Sequence, residues 1–332
     1  MKTSKFNFIA VFLFATTLGG CINDPISDNQ PIELNDLYLY DVAKSATTKI
    51  TDSPKESKGL YSFSPDSKKI LFNSDEQTYL MNIDGSEKTA FSVHFTSYYC
   101  PRGGNQIAYS NKGDLFTIKY DGTNMRQITN SSIDYWDPVL SPDGLKIACI
   151  ATTGINIIDL NGSATIISTA TLAGSFNWSP DSKELIYYKY GSKSSLIHKY
   201  NLTENKEYQL TNSSEYNNAL SWNAQKNQIV FTFSSVTNGN DLMIMNPDGS
   251  QQKTIIHKKY LGSPYWSPDG TKIVFVTENS DLAIINSDGS NYHIINEIPG
   301  ICASPVWSPD GKYILYSYAK KTAGLLCKQT EP

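Results

Sequence analysis

Five aspartates recur in one setting along this chain of 332 residues: Asp66, Asp143, Asp181, Asp269 and Asp310 each follow Ser-Pro and precede Gly or Ser. Repeated carboxylates are the raw material of metal sites and of acid–base pairs. Their setting points to a different role, because a short acidic side chain ahead of a residue free to take positive φ caps a tight turn by bonding nearby backbone. Trp178, Trp222, Trp266 and Trp307 share one slot just before these turns, or before the equivalent stretch Asn223-Ala224-Gln225, and packing between repeats is their expected role. A structural residue obeys a repeat, whereas a functional one breaks it. The four histidines, His94, His198, His257 and His293, are too scattered to compose a metal centre. These residues therefore predict no catalytic residue, no metal and no cofactor.

The phrase behind the pattern reads Trp-Ser-Pro-Asp-Gly with variations. It occurs at Phe63-Ser64-Pro65, Tyr99-Cys100-Pro101, Leu140-Ser141-Pro142, Trp178-Ser179-Pro180, Trp222-Asn223-Ala224, Trp266-Ser267-Pro268 and Trp307-Ser308-Pro309. Its third positions, 65, 101, 142, 180, 224, 268 and 309, are 36, 41, 38, 44, 44 and 41 residues apart. A period of about 40 residues with strands inside it predicts a β-propeller.

One unit shows why. Pro264-Tyr265-Trp266 is a short first strand, and Pro268, which cannot donate to a ladder, stops it. Asp269-Gly270 reverses the chain into residues 272–277, Lys-Ile-Val-Phe-Val-Thr, a strand covered on both faces. Residues 281–286 form a third strand, and Ser287-Asp288-Gly289-Ser290 is the hairpin turn into a fourth at 292–295. Residues 36–51 read like third and fourth strands, while residues 312–318 read as a second. The expected fold is all-β, a seven-bladed propeller of four-stranded blades in which both chain ends share one blade and leave no free sheet edge. The run Leu325-Leu326-Cys327 is a competing third strand.

Residues 1–20 carry Lys2 and Lys5, then an apolar run at 6–14 and small residues, the pattern of a secretory signal too short to span a membrane. Leu18-Gly19-Gly20-Cys21 resembles the bacterial lipobox, which implies cleavage and lipid attachment at Cys21. Ile22 after that cysteine, by the enterobacterial sorting rule, implies the outer membrane. Residues 21–32 are then the lipidated cysteine and its tether, and 33–332 the propeller domain. Lys+Arg 28 against Asp+Glu 32 gives a net charge of −4 without a basic stripe, which excludes nucleic acid as an expected partner. Cys149 lies in an apolar run and is expected to pack as a small hydrophobe. Cys302 and Cys327 flank the composite blade, where an oxidising compartment could join them.

The phrase, followed by Lys-Ile-Val-Phe and a later Asp-Gly-Ser turn, resembles the WD-like repeats of the TolB family over residues 33–320. TolB itself is periplasmic, has an additional N-terminal α/β domain and works through protein contacts in the Tol-Pal envelope system. The propeller begins a few residues after the tether without that domain, so the resemblance implies an envelope propeller, with an assembly role like that of TolB as a further reading. Similar repeats underlie prolyl-oligopeptidase-like peptidases, which would need a following hydrolase domain with Gly-x-Ser-x-Gly. They also resemble a propeller lyase of oligogalacturonate, which holds a metal mainly by histidines in its funnel.

In propeller topology the regular Pro-Asp-Gly and Asp-Gly-Ser turns fill one face, and the inter-blade connections and second-to-third loops fill the other. The irregular residues fall on the second face: Phe95, Tyr135 and Trp136 within 130–138, Tyr216 within 212–219, Tyr260 within 258–264, and the longer loops at 190–195 and 234–240. Of the five tryptophans only Trp136 lies outside the repeated slot. Aromatics on loops of a rigid scaffold suit recognition, so these five are the expected binding residues and an envelope protein or glycan the expected partner. The other reading is a saccharide lyase or hydrolase acting in the funnel, which would need clustered His, Glu or Asp on inner strands.

Overall fold

The computed structural model describes residues 36–320, apart from 53–57, 76, 94, 96, 100–104, 169–172, 192–193, 213–215, 236–238, 259–261, 263 and 297–299. The signal, Cys21, the tether, Cys100, Tyr260 and Cys327 lie outside the described residues.

Seven four-stranded antiparallel blades form a seven-bladed propeller. Blade one runs Lys58–Phe63, Lys69–Ser74, Gln77–Asn82 and Thr89–Ala90. The other first strands are Ser97–Tyr99, Tyr135–Leu140, Ala173–Trp178, Tyr216–Asn223, Tyr265–Trp266 and Gly300–Trp307. In blade seven Gly300–Trp307 pairs with Tyr313–Lys320, which pairs with Asp36–Asp41 and then Ala46–Lys49. Leu39 stands opposite Leu315 in that ladder, so the two ends of the described chain do share one blade. Blades four and five are further joined by a parallel bridge between Ser195 and Tyr216.

In five blades the repeated Ser-Pro-Asp makes the first turn. Ser64 Oγ donates to Asp66 Oδ1 at 2.6 Å and accepts from the Lys69 amide at 2.9 Å, while Asp66 accepts from the Lys68 amide at 3.1 Å. Equivalent serine–aspartate bonds hold Asp143, Asp181, Asp269 and Asp310 at 2.6–2.7 Å. The bonds from Ser64 and Ser179 hold the Asp66 and Asp181 carboxyls below the usual range. These carboxylates are committed to turn geometry. Pro at the turn start and Gly or Ser at its end, with φ of 70° at Gly270 and 61° at Ser67, complete it.

The core is seven apolar clusters, one in each seam between adjacent blades. Trp178, Trp222, Trp266 and Trp307 are buried there at 7%, 8%, 0% and 5% exposure. Trp178 Nε1 donates to Val139 O of the preceding blade at 2.9 Å, and Trp307 Nε1 to Tyr265 O at 3.2 Å, so the indoles bond across seams as well as filling them. In the second blade Tyr99 stands opposite Ala108, as Val139 does opposite Ala148. Tyr99, which the sequence reading places in the tryptophan slot, therefore stands one position before it.

Short fourth strands such as Thr89–Ala90, Arg126–Gln127 and His293–Ile294 are exposed throughout and form the rim. First strands of neighbouring blades approach one another and therefore surround the axis. Their N-terminal ends lie on the face of the inter-blade connections, opposite the Ser-Pro-Asp turns.

Candidate functional site

The first strands share an irregularity that shapes the funnel mouth. In blades one, three, four, five and seven, two residues of the first strand oppose one of the second, a β-bulge facing Phe72, Cys149, Tyr187, Phe231 and Tyr316. All five of these facing side chains are buried. In blade six Gly262 donates to Val276 O while Tyr265 already pairs with Val274, the same two-for-one count. Bulges disrupt regular alternation and re-aim the side chains beside them. Asp137, Ala219 and Ser304 take up the bulge with φ of 49°, 44° and 50°. For non-glycine residues, and for Ala219 above all, such backbone is uncommon.

One step before the bulge, and at the matching register of blade two where the pairing is regular, the blades present a ring of seven positions: Gly59, Ser97, Trp136, Gly174, Asn218, Gly262 and Ala303. Six are small or of modest size and one is tryptophan. Trp136 is 43% exposed, unlike the four buried tryptophans of the repeat. Asp137, its neighbour at the bulge, is exposed too, so consecutive side chains that a regular strand would send to opposite faces both reach solvent here. Asp137 is the one acidic residue in the seven first strands.

Burial pushes the Asp137 carboxyl above its usual range although the residue is open to solvent. The cause is desolvation by neighbouring protein, acting on a residue that keeps part of its surface in solvent. Among the described residues no hydrogen bond or ion pair reaches it. Indole face and unpartnered carboxylate are thus adjacent at a mouth left roomy by small residues elsewhere in the ring.

Of the five expected binding residues, the three whose side chains are described do not form one surface. Phe95 is fully buried: its ring lies 4.7 Å from that of Tyr109, its carbonyl accepts from Asn73 Nδ2 at 2.6 Å and its amide donates to Thr78 Oγ1 at 3.1 Å. It is seam core, because the connection between blades one and two folds inward to cover their ends. Tyr135 is likewise buried, at 4%, and begins a strand rather than lying in a loop, with its amide bonded to Gly113 O at 2.8 Å. Tyr216 also begins a first strand, opposite Ser234. Tyr260 lies outside the described residues. Among the three whose side chains are described, Phe95, Tyr135 and Trp136, only Trp136 is exposed. The loop at 190–195 adds one that sequence reasoning did not name, Tyr190, 44% exposed and packed edge-on against Tyr188.

His198 stands in a third strand, and His257 and His293 in fourth strands, all away from the first-strand ring; His94 lies outside the described residues. Among the described residues no three His, Cys, Asp or Glu side chains are placed to hold a metal ion. A second polar cluster lies within blade four, where Lys189 Nζ is 2.5 Å from Glu207 Oε1, the Tyr187 hydroxyl donates to the same oxygen and burial holds His198 towards its neutral form. It spans the outer three strands and not the funnel.

No family model matches the sequence, and no curated protein matches it. Solved structures do share the fold. A putative TolB from Agrobacterium tumefaciens is similar at 18% identity and a TM-score of 0.59, with 87% of this chain and 99% of that one covered. An oligogalacturonate lyase in complex with manganese aligns at 13% identity and 0.69, over 87% and 97%. An oligogalacturonate lyase from Vibrio parahaemolyticus aligns at 12% and 0.67, over 87% and 98%. At these identities the likeness establishes a TolB-like propeller fold, shared by lyases, and no activity.

Proposed function

We propose that this chain is a non-enzymatic recognition module of the bacterial envelope, binding a protein or glycan at the funnel mouth of its propeller. The observation that carries the reading is the broken ring: six blades present Gly, Ala, Ser or Asn where blade three presents exposed Trp136, followed directly by Asp137. Large aromatics in partly desolvated pockets are the usual anchors of recognition. A glycoside hydrolase of the common type needs two facing carboxylates, whereas the first strands bring one. Lipid attachment at Cys21, with tether 22–32 and an outer-membrane address, completes the proposal and rests on the sequence pattern alone.

The test is binding of the full chain to arrays of envelope glycans and of synthetic peptides, compared with its Trp136→Ala variant. The expected result is a ligand whose capture by the wild type is lost in the variant. Ligands bound equally by both would overturn the mouth as the site, and catalytic turnover of any arrayed saccharide would overturn the non-enzymatic reading.

A further inference from the structure

Two features of the mouth restrict what it can recognise. The first is charge. The Asp137 carboxylate is the one acidic group of the first strands, stands on a wall that strips part of its hydration, and meets no cation or donor among the described residues. A partly desolvated anion without a partner is stabilised most by an incoming cation and least by another anion, so a polyuronate would be repelled here. The second is shape. Trp136 supplies an apolar indole face immediately beside that charge, in a mouth otherwise walled by Gly59, Gly174, Gly262 and Ala303.

We propose that the Trp136–Asp137 pair is a subsite for a lysine or arginine side chain carried by an extended segment of a partner protein. This rests on the recognition reading above and names the group recognised. A long basic side chain has two unlike parts, an apolar stem and a charged head. The stem lies along the Trp136 indole, where the cationic end also gains from the π-face, and the head reaches the Asp137 carboxylate. An amino sugar can lay its C–H face on the indole, but its nitrogen is fixed to the ring, whereas the flexible stem of lysine or arginine lets the charged head reach the carboxylate beside the indole, so the protein side chain is the better fit. The bulge is what makes the pair possible. Without the extra residue at φ 49°, Trp136 and Asp137 would alternate to opposite faces of the strand.

The experiment measures fluorescence anisotropy of the full chain against labelled Gly/Ser heptapeptides with a central lysine, arginine, Nε-acetyl-lysine, norleucine or glutamate, alongside glucosamine oligomers and neutral glycans. Lysine and arginine peptides bind, and acetylation weakens binding about tenfold or more, the scale of losing a close charge pair. Asp137→Asn abolishes the preference for lysine over acetyl-lysine, Trp136→Ala weakens lysine and norleucine peptides together, and Trp136→Phe restores most of the affinity. Because acetylation alters the ligand alone, that arm does not depend on the folding of any variant. Equal binding of lysine and acetyl-lysine peptides, or a preference that survives Asp137→Asn, overturns the cation subsite. Glucosamine or neutral glycans binding in a Trp136-dependent way while basic peptides do not would sink this inference and leave the mouth as a recognition site. Trp136-independent binding of every probe would remove both.

Discussion

The Tyr61 hydroxyl donates to Ala303 O at 2.8 Å and accepts from the Ser317 amide at 2.8 Å, across 242 and 256 residues of sequence. It ties the first strand of blade one to the composite blade that holds both ends of the described chain. On the turn face of the same seam Asp310 N donates to Ser67 Oγ at 3.1 Å, and Phe63, Ile70, Leu37 and Leu315 fill the seam. Ring closure is therefore a polar weld above an apolar seam, and burial holds the Tyr61 hydroxyl firmly protonated.

Tyr61→Phe removes the weld and keeps the ring, stranding the amide of buried Ser317 and leaving Ala303 O with only the longer bond from Ser317 Oγ at 3.4 Å. It is expected to destabilise the protein by about 1–3 kcal/mol, read as a lower urea midpoint with an unchanged slope. A midpoint equal to that of the wild type would mean that the apolar seam closes the ring unaided.

Tyr135 and Trp136 are neighbours in sequence with opposite fates. Tyr135→Ala empties a seam position and should lower stability by roughly 3–5 kcal/mol, whereas Trp136→Ala, at an exposed site, should stay within about 0.5 kcal/mol of wild type. Chemical denaturation of the two single variants checks this. Similar losses for both would place Trp136 in the core.

Asp137→Asn separates function from stability by pH. The carboxyl titrates above its unfolded value, so its contribution to stability is fully present below the unfolded pKa and is lost as pH rises through the folded one. Asparagine does not ionise. The variant's advantage in Tm should therefore grow between about pH 4 and about pH 7. A pH-independent gain can accompany it, because Asn tolerates the left-handed backbone at this bulge. An advantage that shrinks as pH rises would contradict a desolvated carboxylate.

Much of this ring is readable from the chain because its punctuation is local. Proline ends a strand and Asp-Gly turns it whatever surrounds them, so the blade count and the shared blade of residues 36–49 with 300–320 follow from spacing. Three features are not local. Whether an aromatic in a connection covers a seam or meets solvent depends on the neighbouring blade, and so Phe95 and Tyr135 look alike to Trp136 in sequence although two are buried and one is not. The phrase of the second blade lacks both Trp and Asp, which hides its one-residue offset. Asp137 escapes notice because a bulge does not announce itself in alternation. A signal for it does exist. Counting four residues back from the tryptophan slot gives Gly59, Trp136, Gly174, Asn218, Gly262 and Ala303, and three back gives one charged residue, Asp137.

The proposed lipid attachment at Cys21 makes a prediction of its own. Cys21→Ala should move the protein from the membrane to the soluble fraction of cells while the purified variant melts at the wild-type temperature. Retention in the membrane fraction at high salt would mean that something other than a lipid at Cys21 holds it there.

The central claim, recognition at the mouth formed by the first strands, is tested most directly by one affinity comparison on opposite faces. Asp288 lies in an outer turn of blade six, where it accepts from the Ser290 amide at 2.9 Å and hydroxyl at 2.6 Å. With the tightest ligand found on the arrays, the Kd of the full chain should rise about tenfold or more for Trp136→Ala, and remain unchanged for Asp288→Ala. Unchanged affinity for Trp136→Ala together with a loss for Asp288→Ala would contradict the account and move the binding surface to the turn face.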